Sequence, residues 1–509
     1  MPPLPLRALC CSLLALCCLV LPAAAQVTVC EGGTAQPEGS AIAYPCDRVD
    51  LLSRVSHEEM GDAFRGNDVW GWTDPLTGGE YALVGLQSGT AFVDVSDPVA
   101  PVYLGTLPTH TQSSTWRDIK TFGDYAYVVS EAPQHGMQVF DLTQLRGVLT
   151  PTTWAETAHY DGVGGTHNLF ILEATSFAYV VGADAGADLG CDGGLHMVDL
   201  AEPESPTFAG CFSADGYTHD VQCVVYDGPD LGYQGREICV AANEDTFTIV
   251  DVTDKAGPVL VSQMIHPNHG YAHQGWLTED HRYFIANDEL DEQRFGNNTR
   301  TLVFDVADLD EPEFRDAFLH DVPAIDHNLY IVGSTVFETN DAAGLRILDA
   351  SGLLAGEPGS GLAAAAFFDT HPETDAPVFE GTWSNYPFFE SGIVIANDRS
   401  RGLFVLQPRL TEPTAAEGVG PAGYALSAAY PNPFATRARF SLRVDRSQTV
   451  TVAVYDVLGR RVAEVFHGVL AAGAPRTFAL DGNAWPAGTY LVRVTGEDFA
   501  ETRRVMRAR

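Results

Sequence analysis

Short runs of alternating apolar and polar residues fill most of the chain, and they recur at a regular interval. A representative unit, residues 166–200, contains two apolar runs, a loop rich in Gly and Asp, and a third apolar run that ends at Asp199. Runs of four to eight such residues, bounded by turn residues, predict β-strands. Long amphipathic helical patterns are scarce, so the pattern predicts an all-β protein.

The units can be aligned at both ends. Their opening residues are spaced by 51 to 56 positions, namely Trp116, His167, His219, His273, His327 and Trp383, with a weaker copy near Trp70. Their third strands end at Asp94, Asp141, Asp199, Asp251, Asp305 and Asp349. Seven units of about fifty residues, each with several short strands, predict a seven-bladed β-propeller. We expect the repeated Asp to have a structural role, in a turn or between blades.

Composition changes divide the chain further. Residues 1–25 have an apolar run and a small-residue cleavage site, which predict a secretory signal peptide and no transmembrane segment in the mature chain. Residues 26–65 form a Cys-containing lead, in which 51–65 is expected to be a helix or an irregular cap. The propeller covers 66–410, a Pro- and Gly-rich linker covers 411–423, and alternating strands from 424 to 509 predict a small Ig-like β-sandwich.

Charge and cysteine content restrict the possible functions. The net charge of −38 argues against nucleic-acid binding and suits cations. Six cysteines follow the signal peptide, an even number that implies disulfides in an exported protein. Pairing of sequence neighbours is the simplest of the possible arrangements: Cys30 with Cys46, Cys191 with Cys211, and Cys223 with Cys239.

The C-terminal region resembles a known family. The motifs YPNPF (430–434), VYDVLGRRV (454–462) and PAGTYLVRV (486–494) precede a basic C-terminus. In order and spacing they are similar to the type A C-terminal sorting domain of the type IX secretion system of Bacteroidetes-like bacteria. The resemblance implies that the type IX machinery is a partner. It places the protein outside a Gram-negative cell, either released or on the outer-membrane surface.

The repeat region also resembles a family. Segments such as 114–142, 215–230 and 273–292 are similar to the LVIVD-repeat propellers called choice-of-anchor B proteins. That resemblance implies an exported propeller with a variable C-terminal sorting or anchoring signal. It implies no activity, so function has to be inferred from the residues.

The opening residues of the units are expected to meet at one mouth of the propeller channel. Four successive units place a histidine there, and neutral imidazole is a common ligand of transition metals. The predicted metal ligands are His167, His219, His273 and His327. The alternative is structural, because such a histidine can instead hydrogen-bond the backbone of the neighbouring blade.

Polar and aromatic residues near the same mouth predict a ligand-binding face. Its members are Trp116, Arg117, Asp118, Glu131, Glu244, Asp288, Asp341, Trp383 and Asp398. Acidic loops could also bind calcium, with residues 288–293 as the best local candidate. Tryptophans such as Trp70 and Trp276 could stack on a ligand or plug the channel.

Three functional hypotheses follow. The first is an extracellular binding or scaffold module whose His- and acid-rich face binds a divalent metal, an extracellular ligand, or both. The second is a metal-dependent extracellular oxidase or hydrolase that uses the four histidines. The third is a structural surface protein. Motifs for a nucleophilic serine, a P-loop or a dinucleotide site are absent from the sequence, so it favours no particular reaction.

Overall fold

The structure is a computed structural model. It describes residues 27–62, 65–184, 187–410, 424–426, 434, 437–444, 446–456, 460–472, 476–482, 485–486, 488–497 and 499–507. The predicted signal peptide, the predicted linker and most of the YPNPF motif lie outside the described residues.

Strands dominate residues 27–410. Those of the first half are β1 (Thr34–Ala35), β2 (Tyr44–Asp47), β3 (Val49–Val55), β4 (Gly66–Thr73), β5 (Glu80–Leu86), β6 (Gly89–Asp94), β7 (Val102–Pro108), β8 (Arg117–Phe122), β9 (Tyr125–Ser130), β10 (Met137–Asp141), β11 (Thr152–Thr153), β12 (Ala158–Tyr160), β13 (Asn168–Leu172), β14 (Phe177–Val181), β15 (Leu195–Asp199) and β16 (Thr207–Phe212). Those of the second half are β17 (Asp220–Val225), β18 (Glu237–Ala242), β19 (Phe247–Asp251), β20 (Val259–Met264), β21 (Ala272–Leu277), β22 (Tyr283–Asp288), β23 (Arg300–Asp305), β24 (Glu313–Leu319), β25 (Leu329–Val332), β26 (Thr335–Thr339), β27 (Leu345–Asp349), β28 (Ala363–Phe368), β29 (Thr382–Tyr386), β30 (Val394–Asp398) and β31 (Gly402–Pro408). The helices described are a 3-10 helix (Leu142–Leu145), α1 (Asp291–Phe295) and α2 (Ser351–Leu354).

These strands form sheets of four that follow one another along the chain. The groups are β4–β7, with β11 beside β7; β8–β10 with β12; β13–β16; β17–β20; β21–β24; β25–β28, extended by β2 and β1; and β29–β31 with β3. The first strand of each sheet contacts the first strand of the next, and the series returns from β29 to β4. The all-β architecture is consistent with a β-propeller.

The last sheet is completed by the N-terminal lead. Strand β3 pairs with β31, with Asp50 opposite Gln407 and Leu51 opposite Leu406. The beginning of the segment 51–65 is therefore a strand and not the expected helix or cap. Pairing β3 with β31 brings the N-terminal lead to the last sheet of the repeat region and covers an otherwise free edge.

The repeated aspartates cap the turn after each third strand. In six sheets the Asp side chain accepts a hydrogen bond from the backbone N–H two residues later, at 2.8–3.0 Å; these residues are Asp94, Asp141, Asp199, Asp251, Asp305 and Asp349. This is an Asx turn, in which a short carboxylate replaces a backbone acceptor. The structural role predicted from the repeat is confirmed.

Adjacent sheets pack through apolar side chains. Between the fourth and fifth sheets, for example, Ile249 and Phe247 share one buried cluster with Phe284 and Phe304.

The cysteines are joined as sequence neighbours: Cys30 to Cys46, Cys191 to Cys211, and Cys223 to Cys239.

The C-terminal region is described as two sheets. Its strands are β32 (Tyr424–Leu426), β33 (Arg437–Val444), β34 (Gln448–Asp456), β35 (Arg461–Leu470), β36 (Arg476–Asp481), β37 (Gly488–Thr495) and β38 (Ala500–Arg507). Strands β32, β33 and β36 form one sheet, and β35, β34, β37 and β38 form the other. Both contribute to a single apolar core, which includes Phe440, Phe478, Val452 and Val492.

Candidate functional site

Side chains from the start of several inner strands enclose a small cavity of about 10 Å³. It is lined by Trp116, Arg117, His167, Asn168, His219, His273, His327, Asn328 and Trp383. That volume holds roughly one water molecule or one small ion. The structure therefore brings together the four histidines and the two tryptophans that open the repeat units.

Bulges in the inner strands help to place these side chains. In β21 the pairing with β22 passes from Ala272 directly to Gln274, which leaves His273 as the extra residue. In β29 the pairing skips Trp383 in the same way. A bulge re-aims the side chain of its extra residue, so two neighbours in sequence can both point toward the channel.

The four imidazole rings form a continuous row. The ring centroids are 4.2 Å apart between His167 and His219, 4.4 Å between His219 and His273, and 4.4 Å between His273 and His327. His219, His273 and His327 are buried, whereas His167 at the end of the row is partly exposed.

Hydrogen bonds fix the orientation of three of these rings. His219 Nδ1 donates to the carbonyl of His273 at 3.0 Å, and His327 Nδ1 donates to the carbonyl of Trp383 at 2.6 Å. His167 Nδ1 is 2.6 Å from the Glu131 carboxylate. The first two bonds link neighbouring sheets, as the structural hypothesis expects. Because a carbonyl oxygen can only accept, Nδ1 carries the proton in the His219 and His327 bonds, and Nε2 of these two neutral rings keeps its lone pair.

The Nε2 atoms of His273 and His327 face the carboxylate of Glu289. The distances to Glu289 Oε1 are 3.8 Å and 3.6 Å. One ligand atom from each of these three residues lies within 4.8 Å of the others, an arrangement that could hold a metal ion. His167 and His219 continue the row but lie outside this group of three.

Burial determines the protonation states of the site. It lowers the pKa of His219, His273 and His327 well below the usual value for histidine, so these rings are neutral. Burial also raises the pKa of Glu289 to about 8. A cation beside Glu289 would offset that burial cost, and neutral imidazole is the form that binds metals.

The mouth has an acidic and aromatic rim. Glu131 is partly exposed beside His167, and Glu244 is exposed and accepts a hydrogen bond from the Tyr271 hydroxyl at 3.2 Å. Trp116 is 44% exposed, so it can contact a ligand from solvent. Tyr217 was not predicted as a rim residue; its pKa is raised by burial and then by Glu131, Glu244 and Glu289.

None of the predicted acids lines the cavity, and three of them make their contacts elsewhere in the protein. Asp288 is buried and accepts hydrogen bonds from the backbone N–H groups of Gly270 and Tyr271. Asp341 is paired with Arg399 at 2.9 Å. Asp398 accepts from Thr370 and from the turn that follows it.

Arg399 was not predicted from the sequence, and it contacts both the cavity residue Trp383 and the buried Asp341. It lies 4.0 Å from the ring centre of Trp383, while pairing with Asp341. A guanidinium over an indole face is a favourable cation–π contact.

Asp118 belongs to a layer beneath the mouth. Lys120 lies 2.6 Å from Asp118 and 3.6 Å from Asp68, all three being buried. Below the lysine, aromatic rings fill the channel: Trp70 contacts Tyr330 and Tyr386, and Trp276 contacts Tyr330. Trp70 and Trp276 thus pack against other aromatic rings in this layer.

Arg117 links the cavity to a further histidine. Its Nε donates to the carbonyl of Leu86 at 3.1 Å, and its terminal nitrogen is 3.3 Å from His135 Nε2. Burial, followed by the Arg117 charge, lowers the pKa of His135 to about 3. Arg117 and His135 therefore contact each other and the backbone inside the protein.

Other clusters of potential ligands occur in the described residues. His110, Glu156 and His159 form one at the surface, and Asp230, Asp308 and Asp310 form an exposed acidic one. A further cluster combines His266 and His269 with the buried Asp288.

Glu289 is the most important residue that the predicted site omitted. It directly follows Asp288, the residue chosen instead. A signal was available, because Glu131 also comes directly after the end of a second strand, and Glu244 comes two residues after one. The bulge at His273 shifts the local pairing, and a repeat alignment does not show such a shift.

Comparison with known families identifies two parts of the chain. The family described as LVIVD repeat matches residues 77–109 and 234–265, and the family described as Secretion system C-terminal sorting domain matches residues 428–507. The chain therefore carries LVIVD repeats and a C-terminal sorting domain. Such a domain indicates handling by the type IX secretion machinery and a secreted or cell-surface protein.

Similarity to individual proteins is distant. A functionally unknown protein from Desulfotomaculum acetoxidans has a TM-score of 0.39 and 10% identity, covering 60% of this chain and 90% of its own. A protein from Lactobacillus plantarum has a TM-score of 0.41 and 12% identity, covering 82% of this chain and 100% of its own. Similarity of this degree identifies no function. No curated protein matches the chain.

Within the described residues, every helix falls short of the length and apolar character needed to cross a bilayer.

Proposed function

We propose that the protein is a secreted or cell-surface binding module, a seven-bladed propeller of the choice-of-anchor B type that binds a divalent transition metal at its mouth. Each sheet from β4 to β31 is one blade, and β3 closes the ring. The C-terminal sheets form an Ig-like sandwich that acts as the export signal.

The geometry around Glu289 carries the metal proposal. Two neutral imidazoles and one carboxylate converge, with Nε2 to Oε1 distances of 3.8 Å and 3.6 Å. Tetrahedral ligands at about 2.0–2.1 Å from a zinc ion lie about 3.4 Å from one another, so small side-chain movements complete the site. His273, His327 and Glu289 are the protein ligands in this proposal.

The hydrogen-bonded Nδ1 of His327 supports the same proposal. A metal-binding histidine usually donates its other ring N–H to a carbonyl or a carboxylate, which fixes the tautomer. His327 does so with the carbonyl of Trp383, and His219 does so with that of His273. A structural bond between sheets and a metal ligand are therefore compatible roles for one histidine.

The small cavity favours binding over catalysis. Its volume of about 10 Å³ has room for an ion or a water beside the imidazoles but not for an organic substrate. An oxidase or hydrolase would have to use the rim above it, where Trp116 and Glu244 are exposed. The binding module is therefore the leading proposal and the enzyme is the alternative.

The metal content of the purified protein tests this proposal. Elemental mass spectrometry after purification without chelators should find about one equivalent of a transition metal. His273→Ala and His327→Ala should each lose it while keeping the far-ultraviolet circular dichroism of the wild type.

His110→Ala is the matched control, because His110 belongs to a separate cluster with Glu156 and His159. It should retain the metal. A wild-type protein that binds no transition metal, or a metal that persists in both mouth variants, would show that the row of histidines is structural.

A further inference from the structure

A groove of about 340 Å³ lies between two neighbouring sheets. One wall is the end of β24, with Phe318 and Leu319, and the other is β28, with Ala364, Ala365 and Ala366. Cavities of this size that are lined mainly by apolar side chains, with a few polar groups, are typical of sites for small organic molecules. The groove shares no lining residue with the cavity at the mouth, so it is a separate site.

Consecutive alanines in β28 leave space for a ligand. The pairing of β28 with β27 passes from Ala364 to Ala366, so Ala365 is the extra residue of a bulge. On the opposite wall, Leu319 is 65% exposed although its side chain is large and apolar. A hydrocarbon chain in the groove would cover this apolar surface, which is favourable in water.

Arg346 carries the buried charge of the groove. It is 9% exposed, and its guanidinium lies 4.6 Å from the ring centre of Phe367, its partner across the sheet. Its Nε donates to the carbonyl of Ala343 at 3.1 Å. Among the described residues, the one carboxylate within 4.0 Å of it belongs to Asp321, whose side chain is 90% exposed. A buried charge that lacks a close partner is costly, so a ligand that supplies one is favoured.

The acid opposite Arg346 in the sheet does not neutralise it. Glu338 occupies that position in β26. Its carboxylate accepts hydrogen bonds from Thr301 and Asn340 at 2.7 Å and lies 2.8 Å from His320 Nε2. These contacts occupy the carboxylate of Glu338, so the terminal nitrogens of Arg346 remain available to another acceptor.

The other charges that line the groove leave Arg346 as the recognition group. Asp47 and Arg48 lie at the surface and pair with each other at 3.2 Å. Burial lowers the pKa of the Arg346 guanidinium, a shift that an anion in contact with it would oppose.

Other sheets show that the repeat does not require a charge at this position. Five of them have a neutral residue three positions before the capping Asp: Ala91, Gln138, His196, Thr248 and Leu302. The polar ones are hydrogen-bonded inside the protein, as in the bond from Gln138 Nε2 to the carbonyl of Pro108 at 3.1 Å. Arg346 is therefore a feature of this groove and not of the repeat.

We propose that the groove binds a small organic carboxylate, with its carboxylate on Arg346 and its hydrocarbon chain between Leu319 and the alanines of β28. A guanidinium presents parallel N–H donors that match both oxygens of a carboxylate. The contact with Phe367 holds the guanidinium in place before the ligand arrives. This site is additional to the metal at the mouth and does not depend on it.

Calorimetric titration of the purified protein tests the proposal, with hexanoate as the probe. Hexanoate should bind at one site per chain. Acetate, which has the carboxylate without the chain, should bind at least about tenfold more weakly. Hexylammonium, which has the chain with the opposite charge, should not bind.

Two variants address the two halves of the site. Arg346→Gln should weaken hexanoate binding about tenfold or more, because it removes charge-assisted hydrogen bonds. Ala365→Leu should weaken it by filling the groove while leaving the guanidinium in place. Arg346→Lys keeps the charge but loses the paired donors, so its affinity should lie between those of the wild type and Arg346→Gln. Circular dichroism checks that each variant is folded.

Arg282→Gln is the matched control, because Arg282 is a solvent-accessible arginine paired with Asp305. It should bind hexanoate like the wild type, and so should His273→Ala, which separates this site from the mouth. A wild-type protein that gives no heat of binding with hexanoate would overturn the proposal. Equal binding of acetate or hexylammonium would also overturn it, as would hexanoate binding that is unchanged in both Arg346→Gln and Ala365→Leu.

Discussion

Buried charges are compensated in different ways in two successive layers of the channel. Beneath the mouth, Lys120 lies between Asp118 and Asp68, and Asp118 also accepts from the backbone N–H of Leu169. At the mouth, Glu289 faces the Nε2 atoms of two imidazoles whose pKa values are lowered by burial. In the lower layer a lysine pairs directly with the acids. At the mouth, the partners within 4 Å of the Glu289 carboxylate are two neutral imidazoles, and Arg399 acts on it only from a greater distance.

This difference distinguishes the lower layer, which is structural, from the mouth, where we propose the metal site. Burial raises the pKa of Asp68 well above the usual range, so the two lower acids carry one negative charge against one lysine. A layer balanced in this way needs nothing from solvent. Glu289 has no equivalent partner, which is why we place metal binding at the mouth and not one layer below it.

Removal of Lys120 should have the largest effect of the changes considered. Lys120→Met leaves Asp118 buried without its cation and also removes the contact with the Trp70 ring at 4.5 Å. Breaking a buried ion pair from one side costs about 3–5 kcal/mol. Urea unfolding should show a loss of this size in the free energy of unfolding.

Arg282→Gln is the corresponding surface control, since Arg282 pairs with Asp305 where both side chains are solvent-accessible. Its effect should be small. If Lys120→Met were no more harmful than Arg282→Gln, the lower layer would not be the balanced structural layer described above.

The sequence was sufficient to predict the periodic features of the molecule. The Asp of each third strand could be interpreted because its spacing and position before a turn define a local hydrogen bond. The opening histidines could be placed at one mouth because each unit occupies the same register.

Features that depend on distant parts of the chain could not be predicted. Strand β3 joins the last sheet because the ring closes, and its own residues do not reveal that partner. Lys120 meets Asp68 across two sheets, a contact that only the three-dimensional register creates. Asp288 was predicted in place of Glu289 because the two acids are adjacent at the end of β22, and the sequence does not show which of them faces the histidines.

Replacement of His135 should change the free energy of unfolding by an intermediate amount that depends on pH. Its pKa is about 3 in the folded protein, against an ordinary value of 6.5. Between these pH values the unfolded chain binds more protons than the folded one. The contribution of His135 to the free energy of unfolding is therefore fully present above pH 6.5 and is lost as the pH falls toward 3. Within this window the free energy of unfolding should fall by about 1.4 kcal/mol for each pH unit.

His135→Gln should remove this slope. From pH 6 to pH 4 the wild type should lose more unfolding free energy than the variant, when both are followed by urea titration. His467→Gln, at an exposed position in the C-terminal region, should behave like the wild type. Parallel pH profiles for wild type and His135→Gln would show that the pKa of His135 is not lowered in the folded protein.

The smallest effect is expected at the rim. Tyr271→Phe removes one hydrogen bond, from the hydroxyl to Glu244. Because Glu244 is exposed and can bond to water instead, the loss should be about 0.5–1 kcal/mol or less. A much larger loss in thermal unfolding would mean that the rim is part of the structural layer.

The most direct test of the mouth site is anomalous X-ray scattering from crystals of the purified protein grown with zinc. The account predicts an anomalous peak about 2.0–2.2 Å from His273 Nε2, His327 Nε2 and a carboxylate oxygen of Glu289. Crystals of Glu289→Gln should show a weakened peak at the same position. A cavity without anomalous density, alongside zinc bound at His110 and His159, would contradict the claim that the mouth is a metal site.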